Sequence, residues 1–184
     1  RIKYLKKKPK KIIAGDYTNK EFVKKKNIIN RINVNFHLGA ITQSLDSLKK
    51  PYETHQVNIM GTINFLENIR LINKKIIFIY SSSDKAYGEL NKRREYRETD
   101  SLDATYPYDS SKSSSDLICQ SYSKTYSMKV GIIRCGNIYG PGDFNLKRLI
   151  PEVIISTIKN KNFSIRSNGK SRRDYVYVDD VVNA

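Results

Sequence analysis

Ile76-Ile77-Phe78-Ile79-Tyr80-Ser81-Ser82-Ser83-Asp84-Lys85 is the stretch from which the rest of the chain can be ordered. Its first five residues are apolar without alternation, which is how a strand reads when both its faces are covered. It ends abruptly in the polar run Ser81 to Lys85, so hydrogen-bonding groups collect at the strand's carboxyl end. Upstream, residues 11–14 (KIIA) read as a strand closed by Gly15-Asp16. A helix is expected over residues 21–32, and a short strand over 34–38 stops at Gly39-Ala40. A longer helix starts near Pro51, a favoured first-turn residue. Its Met60, Ile63, Leu66 and Ile69 recur at helical spacing. Downstream, residues 108–126 read as a helix and 130–134 as a strand. Residues 136–142 read as a glycine-rich loop, 150–158 as a helix and 163–166 as a short strand. Strand–helix alternation around apolar strands predicts an α/β chain with a doubly wound parallel sheet. Ligands bind such sheets beyond the carboxyl ends of the strands. Gly15-Asp16, Gly39-Ala40, Ser81 to Lys85 and Cys135 to Asn137 all fall there.

Composition narrows the class. The chain has 184 residues, one domain's worth. Its 39% hydrophobic and 28% charged residues reject a disordered chain. No apolar run reaches bilayer length, so no membrane partner is expected. The opening RIKYLKKKPKK lacks the apolar stretch of a secretory signal. Cys119 and Cys135 are too few for a disulfide framework or a four-ligand zinc site, and no metal is expected. A reduced, cytoplasmic setting is the default. The net charge of +16 reads either as a nucleic-acid surface or as a solvated basic surface. The abundance of Lys, Ile and Asn, all with AT-rich codons, and the scatter of the lysines favour the second, so no nucleic acid is expected. The chain begins at Arg1 and ends at Ala184 inside VDDVVNA, which reads as the start of a helix. An internal piece of a longer protein is expected.

Two groups of residues carry chemistry. Tyr108 and Lys112 stand four apart on one helix face. A lysine ammonium beside a phenol favours the phenolate, and such a tyrosine can take a proton from a sugar hydroxyl. Ser83 could hydrogen-bond the same hydroxyl. A buried carboxyl keeps its proton, the general-acid role open to Asp84. Lys85 could act as a base after losing its proton. The bland alternatives are a helix-surface pair and a solvated turn. His37 reads as a structural residue at a strand end, Cys119 as helix packing.

The order of segments resembles a known family. HLGA from His37, VNIMGTINFLE from Val57, SSSDKAYGE from Ser81, YPYDSSK from Tyr106, RCGNIYGPGD from Arg134, RLIPE from Arg148 and RRDYVYVDDVV from Arg172 follow one another as in the extended short-chain dehydrogenase/reductases. Within these, the chain resembles the NAD-dependent epimerase/dehydratase group that acts on nucleotide sugars. The resemblance implies a Rossmann-type doubly wound sheet lacking its first strand–helix unit and most of the C-terminal substrate domain. Residues 1–184 would form a partial NAD-binding domain, with the substrate-binding part beginning near residue 143.

The resemblance also implies roles. Tyr108 and Lys112 match the catalytic pair, and Ser83 completes the triad. Asp16 and Tyr17 match the segment that holds the adenine of NAD, and Leu38, Gly39 and Ala40 the turn along the cofactor. Ser81 lies on the cofactor side, Asn58 on a helix behind the site. Cys135 and Gly136 match the loop by the nicotinamide. Asn137 matches a contact to the nucleotide phosphates, Arg148, Leu149 and Ile150 the segment around the substrate nucleotide, and Arg173 an arginine that grips the diphosphate. Ser83-Asp84-Lys85 resembles the CDP-glucose 4,6-dehydratases, whereas the dTDP-glucose enzymes carry Asp-Glu after Thr. RRDYVYVDD departs toward the general pattern of the group. The implied reaction oxidises sugar carbon 4 with Tyr108 as base, eliminates water across carbons 5 and 6 with Asp84 as acid and Lys85 as candidate base, and returns the hydride to carbon 6. The related alternative is a 4-epimerase. A homodimer through the helices near Pro51 and Tyr108 is implied. The glycine-rich pyrophosphate loop is missing, and the family would place it before Arg1. This chain alone is expected to bind NAD poorly and not to turn over.

Overall fold

The computed structural model describes residues 9–25, 29–89, 94–163, 165, 168–170 and 172–184. The chain divides into two compact units, one spanning Ile13–Arg134 and the other gathering Cys135–Ala184. The first is built on a parallel three-stranded sheet of β1 (Val34–His37), β2 (Ile77–Ser81) and β3 (Lys129–Ile133), with β2 in the centre. Val34 pairs with Ile77 and His37 with Tyr80; Ile77 pairs with Lys129 and Ser81 with Ile133.

Helices make both crossovers, as parallel strands require. A short α1 (Lys20–Lys25) precedes β1. Between β1 and β2 run α2 (Ser44–Lys49), α3 (Pro51–His55), a π turn at Gln56–Met60 and α4 (Gly61–Ile72). Between β2 and β3 lie a 3₁₀ turn (Asp84–Tyr87) and α5 (Pro107–Tyr126). Pro51 and Pro107 each open a helix, where a missing N–H costs nothing and the fixed φ suits the first turn. The last residue of α5 is followed by Ser127 in the left-handed region, which stops the helix. His55 docks α3 onto α5, its Nε2 3.1 Å from Ser110 Oγ.

The core gathers Leu66 and Ile69 from α4, Phe78 and Tyr80 from β2, and Cys119 from α5, with Val23, Ile29, Ile76 and Met128. Each large apolar side chain buried there contributes roughly 1.5–3 kcal/mol. The opposite face of the sheet is open: Phe36 is 66% and Ile77 39% exposed. The covering of β2 on both faces, read from its unbroken apolar run, is therefore found on one face among the described residues.

Other expectations are corrected. Residues 11–14 form no strand, because no described strand runs beside them and an extended segment without a partner has no ladder. The helix expected over 21–32 is α1 followed by a 3₁₀ turn at Ile29–Arg31, with residues 26–28 outside the described ones. Met60, placed on the apolar stripe, is 43% exposed. Its neighbours in the π turn shift the stripe to Leu66 and Ile69.

In the second unit, β4 (Asn137–Tyr139) pairs in parallel with β5 (Tyr175–Tyr177), followed directly by α7 (Val178–Asn183). The glycine-rich stretch read as loop thus contains a strand. Three residues between glycines carry too little periodicity to announce it. α6 (Leu149–Ile158) lies between the two strands in sequence. Of the strand read over 163–166, Phe163 and Ile165 lie in no strand and the other two residues are outside the described ones.

Candidate functional site

Tyr108, Lys112 and Asp116 stand at successive turns of α5, on one stripe of the helix. Lys112 is buried, and its Nζ donates to the carbonyl of Ser81, the last residue of β2, at 2.6 Å. The ammonium also lies 5.1 Å from the centre of the Tyr80 ring. Burial brings the Lys112 pKa down to about 8. Tyr108 is half-buried in the first turn, and its carbonyl accepts from Ser111 Oγ at 2.7 Å.

Beyond β2 the chain enters the 3₁₀ turn. Ser83 has extended backbone, and its hydroxyl caps the turn by accepting the Lys85 N–H at 3.2 Å. The same hydroxyl donates to Asp84 Oδ1 at 3.0 Å. Ser83 is buried, whereas Asp84 and Lys85 are half-buried. Gly88 closes the segment at φ +73°, and a Cβ there would overlap the carbonyl of Asp103. Tyr96 donates to the Gly88 carbonyl at 2.8 Å.

A polar layer underlies these elements. Asn58, in the π turn, is buried; its side chain takes the Ile41 N–H at 2.8 Å and donates to Ser111 Oγ at 2.8 Å. Its carbonyl accepts from Thr62 Oγ1 and Ser115 Oγ at 2.6 and 3.0 Å. The wide turn brings Asn58 into contact with both β1's exit loop and α5.

At the carboxyl end of β1, Tyr17 packs its ring against Gly61, where a Cβ would overlap it, and against Gly39, where a Cβ would sit tightly at 3.0 Å. The ring stands edge-on to His37 at 5.7 Å. Asn64 Nδ2 ties down the carbonyls of Tyr17 and Thr18 at 3.1 and 2.7 Å. Asp16 Oδ1 accepts from the hydroxyl and N–H of Thr18, bonds that hold its carboxyl below the ordinary value. Asp16, Tyr17 and Gly39 are thus brought together, while Leu38 is exposed and Ala40 half-buried. His37 is buried with Nε2 3.0 Å from Thr62 Oγ1, and burial, with the charge of Lys112, lowers its pKa to about 4.

The remaining expected residues belong to the second unit. Asn137 joins β4 to the carbonyl of Asp174 through its N–H at 2.9 Å and its side chain at 3.2 Å. Arg148 precedes α6 and pairs with Asp143 at 3.2 Å. Leu149 and Ile150 open α6. Arg173 is exposed and donates to the Arg172 carbonyl. Cys135 is half-buried at the start of this unit.

The NAD dependent epimerase/dehydratase family matches residues 2–184. The chain belongs to that family. It is similar to a dTDP-D-glucose 4,6-dehydratase of Dictyostelium discoideum, 35% identical over 84% of this chain and 37% of the relative. The human dTDP-D-glucose 4,6-dehydratase is 33% identical over 95% of this chain and 49% of the relative. Among solved structures, dTDP-glucose 4,6-dehydratase of Bacillus anthracis in complex with NAD matches with a TM-score of 0.80, 28% identity, and 93% of this chain against 52% of the other. UDP-glucose 4-epimerase of Thermotoga maritima with UDP-glucose matches with a TM-score of 0.84, 28% identity, and 92% against 55%. The chain thus spans half or less of the length of these curated relatives.

Within this epimerase/dehydratase framework one pair escaped sequence reasoning. Asp116 is fully buried, and Arg134 forks onto both its oxygens at 2.7 and 2.9 Å. Burial pushes the Asp116 carboxyl up, but hydrogen bonds from Arg134, Gln120 and Ser82 outweigh it and hold the pKa below the ordinary value. The available signal was the spacing: an acid one turn beyond Lys112 continues the stripe of Tyr108 and Lys112 into the core.

Proposed function

We propose that the protein is a nucleotide-sugar 4,6-dehydratase, and that Ile13–Arg134 carries its reacting side chains. The observation that carries this reading is Lys112, buried on the Tyr108 face of α5 with its ammonium bonded at the end of β2, where the Ser83-Asp84-Lys85 turn begins. The described residues fit a dinucleotide at two places beyond the strand ends. One is the exposed Asp16 carboxylate, next in sequence to Tyr17, whose ring lies against Gly39 beyond β1; the other is the Lys112 ammonium. Asp16, Tyr17 and residues 38–40 would hold the adenosine end of NAD. Ser81, Tyr108, Lys112 and Cys135 would serve the nicotinamide end. NAD, when bound, supplies the acceptor for the carbon-4 hydride and the donor that returns it to carbon 6.

Tyr108 takes the proton of the sugar 4-hydroxyl, with Lys112 stabilising the phenolate electrostatically. Ser83 releases its bond to Asp84 to orient that hydroxyl. Once carbon 4 is a ketone, Lys85 removes the acidified proton on carbon 5. Asp84 gives its proton to the departing 6-hydroxyl, the carbon–oxygen bond breaks, and water leaves. Asn137, Arg148, Leu149, Ile150 and Arg173 are the candidates for holding the substrate nucleotide. Ser83-Asp84-Lys85 favours CDP-glucose, although the curated relatives described above are dTDP-glucose enzymes. A nucleotide-sugar 4-epimerase is the second reading, favoured by the similarity to the Thermotoga maritima epimerase. A cytoplasmic homodimer is part of the proposal, supported by Tyr52 of α3 and Leu117 of α5, both exposed.

The test incubates the full-length protein and NAD with CDP-, dTDP-, UDP- and GDP-hexoses and follows product mass. Loss of one water from one of them is the expected result, and an isomer of unchanged mass moves the reading to epimerase. Calorimetry on the 184-residue chain alone should find weak NAD binding; tight binding would overturn that part.

A further inference from the structure

The geometry points to Asp116 and Arg134 as positioning residues that clamp the Ser83-Asp84-Lys85 turn at both ends and so set it for the elimination step. This inference rests on the dehydratase reading above for its catalytic consequence, but not for the clamp itself.

The two ends of the turn meet one ion pair. Just before Ser83, the hydroxyl of Ser82 donates to Asp116 Oδ2 at 2.9 Å. At the last residue of the turn, the Tyr87 hydroxyl accepts from Arg134 Nη1 at 2.9 Å, and the guanidinium lies 5.0 Å from the centre of that ring. Tyr87 stacks on Tyr96 with centroids 4.8 Å apart, so its ring is held from a second side. Between these anchors stand Ser83, Asp84, Lys85 and Ala86. The pair itself is fixed: Asp116 comes from α5 one turn beyond Lys112, Arg134 immediately follows β3, and Gln120 Nε2 adds a bond to Asp116 Oδ1 at 2.8 Å. The clamp therefore ties the turn to the same helix that carries Tyr108 and Lys112.

Such a pair is a poor device for stability alone. Removing both charges from water costs about as much as their attraction returns, and well-packed apolar substitutes are often as stable. What an apolar pair cannot do is hold a hydroxyl on each side of a turn at fixed distance and direction. A bidentate fork between a planar carboxylate and a planar guanidinium supplies that direction. Displacing a reacting group by about 1 Å can cost a hundredfold in rate.

The test uses the full-length protein with Arg134→Lys, Asp116→Asn and the paired apolar replacement Asp116→Leu with Arg134→Met, the last retaining packing without the bonds. Hydrogen exchange is followed at the amides of Lys85, Ala86 and Gly88, which bond to Ser83 Oγ, Ser83 O and Lys85 O. The expected result is exchange about tenfold faster at these amides, with β2 and the body of α5 unchanged. With NAD and CDP-, dTDP- or UDP-glucose, water loss should slow about a hundredfold, while the preceding oxidation, in which Ser83 alone of the turn takes part and which is seen as reduced-cofactor absorbance, slows by no more than about tenfold. Unaltered exchange at 85–88 overturns the clamp, as does exchange that quickens evenly through β2 and α5. Oxidation and water loss slowing in parallel overturns the role in elimination. If the unaltered protein removes water from none of these sugars, the dehydratase reading falls and the exchange experiment still decides whether the turn is clamped.

Discussion

Ile13–Arg134 and Cys135–Ala184 handle polar side chains in opposite ways. In the first, Asn58, Ser82, Lys112, Ser115 and Asp116 are buried, with each hydrogen-bonded to another part of the unit. In the second, Pro151 alone is buried among the described residues, and Arg148 and Arg173 bond to groups a few positions away. Groups that move protons need fixed geometry, because misplacement raises the barrier directly. Groups that grip a charged ligand can stay solvated until it arrives, at some cost in ordering.

Replacing Tyr108 should break the comparison most sharply. Tyr108→Phe in the full-length protein is expected to lower turnover by at least about 100-fold, with the melting temperature held within a few degrees. A product-mass time course beside a thermal melt checks it. Packing gives the next largest effect. Leu66→Ala should cost about 2–5 kcal/mol in denaturant unfolding. Leu149→Ala in the second unit, where the side chain is 43% exposed, should stay within about 0.5 kcal/mol. Equal losses would erase the contrast.

The third prediction concerns pH. His37 has its pKa lowered to about 4 by burial, so between pH 6.5 and 4 the unfolded chain takes up a proton that the folded one refuses. Stability from this group is full above that window and lost as the pH falls through it, at no more than about 1.4 kcal/mol per unit. Unfolding curves of the protein and of His37→Gln should differ in slope there; parallel curves would remove His37 from the balance. The smallest effect is expected at Arg173, proposed above to hold the substrate nucleotide. Arg173→Ala should raise KM about tenfold, with kcat and melting temperature kept, as for a solvated charge that grips ligand. A matching fall in kcat would place it instead among the rigid groups.

Legibility in the sequence follows the same division. β2 with its polar end, α5 with Tyr108 and Lys112, and the long helix after Pro51 were readable because each carries its own signal: an unbroken apolar run, a fourfold spacing, a first-turn proline. The family pattern added expected roles for isolated residues such as Asp16 and Arg173. Residues 11–14 misled because an apolar run says nothing about whether a neighbouring strand exists. β4 stayed hidden because three residues between glycines are too few to show alternation. The Asp116–Arg134 pair joins positions 18 apart in sequence, and its meaning appears only once Ser82 and Tyr87 arrive from elsewhere. Asn58 was legible as a position, but not as the wide turn it occupies.

That wide turn makes the helical run from Pro51 to Ile72 a two-part gear. Each residue of an α-helix advances about 100° around the axis, and a π turn holds one residue more than an α turn. The extra residue at Gln56–Met60 offsets the phase of everything before it relative to everything after. Upstream of the offset, His55 meets Ser110; downstream, Leu66 and Ile69 meet the sheet. Deleting a single residue there would let the wide turn close to an α turn and leave both sets of teeth in mesh, whereas deleting one within α4 would turn everything beyond it by about 100°. A one-codon loss is therefore absorbed at the wide turn, while the same loss elsewhere in the run is felt as a change of register far beyond the position removed.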